Sequence, residues 1–149
     1  MEQAANAFIE VIESPTVEDI RAVQNGSLWA YNVAHTGDDS MQHLVIHVRS
    51  TTGAWIGGLV GTYLWGWLHI ETMFIAEPFR HQGIGSQLLI AAEKDALARG
   101  FRNVYLETMS FQARPFYELL GYEVFGVLDD FPPGHQQYFM RKTLGASRV

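Results

Sequence analysis

Two glycines one residue apart, Gly83-Ile84-Gly85, stand where a strand-like run gives way to a long helical pattern. Such a junction presents unpaired backbone N–H groups at the positive end of a helix dipole, which is chemistry for holding a phosphate. Glycine also lets a ligand approach the backbone closely. Two nucleotide motifs share the pattern and neither fits. A P-loop requires Gly-Lys-Ser/Thr, and Gly85 is followed by Ser86-Gln87. A dinucleotide fingerprint requires a third glycine in an early βαβ unit, but Leu88 holds that place and three strand-like runs come first. A phosphate seat of another kind and a plain turn that starts a helix remain the two readings of the pair.

Other side chains invite proton chemistry. His69 and Glu71 are two apart in one strand-like run and so share a face. An imidazole with a pKa of ~6.5 is the more natural proton acceptor at neutral pH, although both residues also suit plain hydrogen bonding on a strand. His43 and His47 have the i, i+4 spacing that chelates a metal on a helix. On a strand they would lie ~13 Å apart, so no metal is expected. Asp129 and Asp130 precede Phe131-Pro132-Pro133-Gly134-His135 and read either as an attraction for a cationic amine or as a solvated turn.

These residues need elements to hold them. Residues 7–13 are expected as a first strand. Ser14-Pro15-Thr16 then starts a helix, with Glu18 and Asp19 in the first turn, where carboxylates suit the dipole. That helical region reaches about Ala34 and is interrupted near Asn25-Gly26-Ser27. "MQHLVIHVRS" reads as a strand, and residues 54–65 and 67–76 as two long strands meeting at Gly66. Residues 84–99 carry the clearest helical pattern, with Ile84, Leu88, Leu89, Ala92 and Ala96 or Leu97 on one face and Gly100 as the stop. "NVYLETM" is a short strand, "FQARPFYELLG" a short helix, and "YEVFGVL" and "QQYFMRKTL" two further strands. The order is β-α-β-β-β-α-β-α-β-β in one α/β domain over residues 1–149.

Bulk properties narrow the function. A chain of 149 residues is expected to form one domain. A net charge of −6 argues against nucleic-acid binding, so any anion must be held by local features. The absence of cysteine removes disulfides, thiolate catalysis and zinc–sulfur sites. No secretory signal is visible at the start, and a cytoplasmic location is expected. The uncharged stretch "AWIGGLVGTYLWGWLHI" contains Gly57-x-x-x-Gly61, a small-residue pattern of membrane helices. It is short for a span and broken by Trp65-Gly66-Trp67, so a buried hairpin is expected and no membrane partner. Trp55, Trp65 and Trp67 on that hairpin are expected to pack in the core. Stacking on a substrate and a dimer contact are the alternatives.

The segment "MFIAEPFRHQGIGSQLLIAAE" resembles motif A of the GNAT superfamily, the acyl-CoA-dependent N-acetyltransferases. Arg80, Gly83 and Gly85 stand at its Arg/Gln-x-x-Gly-x-Gly/Ala positions. Residues 113–126, "ARPFYELLGYEVFG", resemble motif B at the expected distance. Residues 54–126 carry the likeness, and the "SFQA…FYELLGYEVFG…PPGH…YFMRK" run resembles one bacterial subgroup of small members.

The resemblance implies a GNAT-like fold, with a mixed central sheet of about six to seven strands flanked by helices. It implies acetyl-CoA as co-substrate, with no metal. The coenzyme pyrophosphate would sit on the backbone of His81, Gln82, Gly83, Ile84, Gly85 and Ser86, with Arg80 as a nearby cation. The pantetheine arm would pair with the strand edge at Met73, Phe74 and Ile75. A bulge in that strand would free an N–H for the thioester oxygen. The implied reaction is direct attack by a primary amine of a small molecule. Tyr117 matches the motif-B tyrosine, as an acid for the departing thiolate or as a hydrogen-bond donor, beside Phe116. A phenol with a pKa of ~10 protonates a thiolate only weakly. His69 aligns with the glutamate that some members use as base, Glu71 is a second candidate, and water relay is a third. Ser110 stands where many members have an asparagine on the coenzyme arm, with Gln112 as its substitute. The rival readings are a non-catalytic acyl-CoA sensor or partner subunit of the same fold, and a nucleotide-binding protein built on the glycine loop. A homodimer stays an open partner reading.

Overall fold

The computed structural model describes residues 7–25 and 28–145. The chain forms two compact units, residues 1–39 and 40–149. In the first, helix α1 (Val17–Gln24) begins at a capping box. The Thr16 hydroxyl accepts from the Asp19 N–H at 3.2 Å, and the Asp19 carboxylate accepts from the Thr16 N–H at 2.8 Å. Helix α2 (Leu28–Thr36) follows. The interruption falls where expected, and Gly26 and Ser27 lie outside the described residues. The expected strand at 7–13 does not form: residues 7–12 have no regular structure, with Ile9 98% exposed. The β-forming residues there meet no partner strand, and β-propensity without one does not make a strand.

The second unit is a mixed six-stranded sheet with its helices. Strands β1 (Gln42–Arg49), β2 (Trp55–Leu64) and β3 (Trp67–Ile75) form an antiparallel meander. A 3₁₀ turn, Glu77–Phe79, leads to helix α3 (Ile84–Ala98), which crosses to β4 (Asn103–Met109), parallel to β3. Helix α4 (Arg114–Leu119) then precedes the hairpin β5 (Glu123–Asp129) and β6 (Gln136–Thr143). The sheet order is β1-β2-β3-β4-β6-β5. Residues 54–76 are thus a hairpin of the sheet, and among the described residues no helix is long and apolar enough to cross a membrane.

The core lies between one sheet face and helices α3 and α4. Leu88, Leu89, Ala92 and Ala96 of α3 pack on Leu59, Tyr63, Leu68, Ile70, Val104, Leu106 and Met140. Ala96 takes the core position while Leu97 is exposed. Tyr63 is fully buried and donates to Asp95 of α3 at 2.6 Å, and Asp95 also accepts from Arg99 at 2.8 Å. The Tyr63 bond, and behind it Arg99, hold the Asp95 carboxyl below the usual carboxylate range.

The tryptophan expectation is corrected. None of Trp55, Trp65 and Trp67 belongs to the core cluster. Trp55 stacks on Phe74 and donates to the His47 Nδ1 at 2.9 Å, on the sheet face away from α3. Trp65 and Gly66, both at positive φ (47° and 86°), form the tight β2–β3 turn, whose primed geometry matches strand twist. Trp67 lies edge-on to Tyr105.

Candidate active site

The site is made by an irregularity in β3. Thr72 pairs with Val60 and Ile70 with Gly61, so Glu71 is an extra residue, a β-bulge. Gly61 permits it, because a Cβ there would stand 2.8 Å from the His69 carbonyl oxygen. The bulge shifts the alternation of β3 by one residue. Leu68 and Ile70 face the core before it, and Met73 and Ile75 pack against that core after it. Phe74, which a regular strand would bury with Ile70, instead stacks on Trp55.

The same irregularity parts the sheet. The parallel β3–β4 ladder runs from Trp67↔Asn103 to Ile70↔Leu106 and stops, although both strands continue. Beyond that point β3 stays paired with β2, and β4 with β6. A bulged strand bends and twists away from its neighbour. Residues 71–75 of β3 therefore keep an edge unpaired by β4.

A cleft of about 370 Å³ lies where this edge meets the start of α3. Met73 and Ile75 form one wall, and Ala113 and Phe116 of the β4–α4 region another. The floor comes from Phe79, Arg80 and His81 and from Gly83 to Ser86. Gly83 is the N-cap of α3 in a left-handed conformation (φ 80°), and no side chain caps the helix. Its first turn holds no acidic residue, so no carboxylate of its own competes for the positive end of the dipole. Arg80 is anchored by its Nε, which donates to the Ile75 carbonyl at 2.8 Å, and its guanidinium lies 5.7 Å from the Phe74 ring centroid. The arrangement offers backbone N–H groups, a dipole and one fixed cation to a phosphate, with an apolar channel leading to a free strand edge.

Across the sheet, at the head of the split, stand the titratable groups. His69 Nε2 lies 2.8 Å from the Glu107 Oε2, and the imidazole stacks on Tyr105 with centroids 4.3 Å apart and planes 2° from parallel. The Glu71 carboxylate accepts from the Thr62 hydroxyl at 2.7 Å, and Thr62 pairs with His69 in the β2–β3 register. His69 and Glu71 therefore share a face, as expected. Burial first, then the charges of Glu107 and Glu71, raise the Tyr105 pKa above its ordinary value. Glu107 had no part in the sequence reading. Its signal was the alternation of β4, where Val104, Leu106 and Thr108 are buried and Tyr105 and Glu107 turn to the other face.

Some expected site residues are engaged elsewhere. Ser110 does not line the cleft: its hydroxyl accepts from the Gln136 N–H at 3.0 Å and meets the His135 Nδ1 at 3.4 Å. Gln112 does not replace it, because its amide oxygen accepts from the Met109 N–H at 2.8 Å within the β4–α4 turn. The Gln82 side chain donates to the Pro78 carbonyl at 3.2 Å. Tyr117 is buried in the core cluster, with its ring edge-on to Phe116 and Tyr122, and burial raises its pKa. The Asp129 and Asp130 carboxylates accept from Gln136 and from the Gly134 N–H, which makes their segment a self-bonded turn. Among the described residues no group of three or more metal-ligating side chains gathers.

A mixed sheet split at its parallel pair, with a helix N-terminus at the mouth of the split, defines an α/β protein that suits a long phosphate-bearing ligand reaching into the sheet. Residues 9–122 match the model of the Acetyltransferase (GNAT) family. Over 115 residues the chain is 36% identical to an acetyltransferase of Agrobacterium fabrum, covering 77% of this chain and 84% of that one. It is 37% identical over 93 residues to the blasticidin-S acetyltransferase of Streptomyces morookaense, covering 62% of this chain and 68% of the other. The crystal structure of an acetyltransferase from Bacillus cereus is similar with a TM-score of 0.81 at 36% identity, covering 91% of this chain and 98% of that chain. The chain belongs to the GNAT family and is an acyl-CoA-dependent acetyltransferase.

Proposed function

We propose that the protein transfers the acetyl group of acetyl-CoA to a primary amine of a small molecule by direct attack. The observation that carries this is the cleft, in which the uncapped N-terminus of α3 and the unpaired edge of β3 meet. The pyrophosphate sits on the backbone from His81 to Ser86, and Arg80 supplies a cation at its edge. The arm runs along Met73 to Ile75, and the thioester lies at the bulge, where a backbone N–H at Glu71 or Thr72 stabilises the tetrahedral oxyanion. The amine comes from the face that carries His69, Glu71 and Glu107. Carboxylates there favour a cationic acceptor and leave it near a proton acceptor. Tyr117, next to Phe116 of the cleft wall, acts as a hydrogen-bond donor to the departing thiolate. A phenol whose pKa is raised by burial keeps its proton, which favours donation of a hydrogen bond over full proton transfer. The relative named for blasticidin S supports a small-molecule acceptor.

The test is release of free coenzyme A thiol from acetyl-CoA against a panel of small primary amines that includes blasticidin S. Amine-dependent release with the N-acetyl product is expected. Coenzyme binding without release from any amine contradicts the proposal.

A further inference from the structure

We propose that Glu107 positions His69 as a fixed base whose Nδ1 takes the proton from the incoming amine. This rests on the acetyl-transfer reading above. A carboxylate is only an acceptor, so at 2.8 Å the shared hydrogen belongs to His69 Nε2 and the lone pair of the neutral ring belongs to Nδ1. Parallel stacking on Tyr105 fixes the plane of the ring, and the carboxylate fixes its rotation within that plane. Both side chains are 26% exposed, sheltered enough to hold the pair and wet enough to exchange a proton.

Its place in the fold gives the pair a use. His69 pairs with Tyr105 one rung before the ladder ends at Ile70↔Leu106, and Glu107 is the first residue beyond it on β4. The hydrogen bond thus spans the head of the split, beside the bulge at Glu71. Besides Glu107 and Tyr105 of β4, the neighbouring groups are Glu71 of β3, the Thr62 hydroxyl of β2, and His43 of β1 at 3.5 Å from Thr62. Arg141 of β6 pairs with Tyr105 in register, but its guanidinium lies on Glu123. As the amine nitrogen bonds to the thioester carbon, its proton moves to Nδ1. The C–S bond then breaks, the thiolate takes a proton from water, and the imidazolium returns its proton to solvent, so that one proton leaves the neutral amine and one reaches the thiol. The Glu107 carboxylate accepts the Nε2 hydrogen throughout and supports the imidazolium.

Two readouts test this on the full chain. Nitrogen-15 NMR of the histidine side chains gives the His69 tautomer without any substrate. The Nε2–H form is expected in the unaltered protein and in Glu107→Gln, whose amide oxygen still accepts, with a hydrogen-bonded, slowly exchanging Nε2 proton whose protection is lost in Glu107→Ala. Turnover is measured with acetyl-CoA and blasticidin S, or with whichever amine of the panel releases thiol fastest. Glu107→Ala should lower kcat about tenfold or more with KM for acetyl-CoA unchanged, and Glu107→Gln should lose less. In a His69→Ala background, Glu107→Ala should cost nothing further. An Nδ1–H tautomer, or an equal loss from Glu107→Ala with and without His69, overturns the assignment while leaving acetyl transfer intact. No thiol release from any amine overturns the acetyl-transfer reading, and the base role with it.

Discussion

Gly85, in the first turn of α3, lies so close to Phe116 of α4 that a Cβ on it would stand 3.3 Å from the Phe116 Cζ. Both residues line the cleft, so the contact sets how near the Phe116 wall stands to the floor. Gly85→Ala favours the helix itself by ~1 kcal/mol, since glycine is the weaker helix former. It also forces the Phe116 ring to give by a few tenths of an ångström, which disturbs the cleft wall. Acetyl-CoA affinity should fall about tenfold, equivalent to ~1.4 kcal/mol, with no loss of thermal stability. Calorimetric titration alongside a melting curve checks both, and unchanged affinity would remove Phe116 from the binding channel.

Gly83 offers a cleaner test of the phosphate seat. A Cβ there meets nothing within 4 Å, but its φ of 80° is strained for most side chains. Gly83→Ala should therefore cost ~1 kcal/mol of stability and little affinity beyond that. Gly83→Asp places a negative charge at the positive end of α3 and should weaken acetyl-CoA binding by a further tenfold or more. The difference between the two variants should shrink at high salt. Equal affinities would place the pyrophosphate elsewhere.

Tyr117→Phe removes one oxygen from a buried ring and leaves its packing with Phe116 and Tyr122 in place. It should lower kcat ten- to a hundredfold, while the Kd for acetyl-CoA changes less than twofold. Equal turnover would reduce Tyr117 to packing of α4 into the core.

Three buried tyrosines predict how the fold responds to alkali. Burial first, then the bond to Asp95, raises the Tyr63 pKa. Burial first, then Glu93, raises that of Tyr122, and burial alone that of Tyr117. A group whose pKa is raised on folding contributes stability that is complete below its unfolded value and is lost as pH rises through the folded one. For tyrosine the unfolded value is ~10, so the melting temperature should hold up to about pH 10 and fall steeply above it. Phenolate absorbance should show these rings ionising together with unfolding. Early ionisation without loss of structure would contradict their burial.

The sequence made the elements of the second unit legible, because their patterns are strong. The α3 stripe and the short β4 and β6 runs fall within a residue or two of their expected bounds. The glycine loop was legible for the same reason, since left-handed Gly83 opening α3 is a local feature with a local signal. The bulge was harder. Leu68 and Ile70 set one phase and Met73 and Ile75 the other, and that slip is visible in "WLHIETMFI" only once a core-facing side is known. Glu107 was missed because it sits 38 residues from His69, and only the β3–β4 register brings them together. The partners that Ser110 takes, His135 and Gln136, were not legible because they arrive from the far end of another hairpin. The strand expected at 7–13 rested on its own residues alone, and these cannot supply a partner strand.

The central claim is that the α3 N-terminus and the unpaired β3 edge hold acetyl-CoA for transfer to an amine. Its most direct measurement is thermal stability of the protein with acetyl-CoA, ATP or NAD, coupled to thiol release when amines are added to the acetyl-CoA sample. Stabilisation by acetyl-CoA alone, weakened by Gly83→Asp, and amine-dependent thiol release are expected. Stabilisation by ATP or NAD and none by acetyl-CoA would contradict the claim.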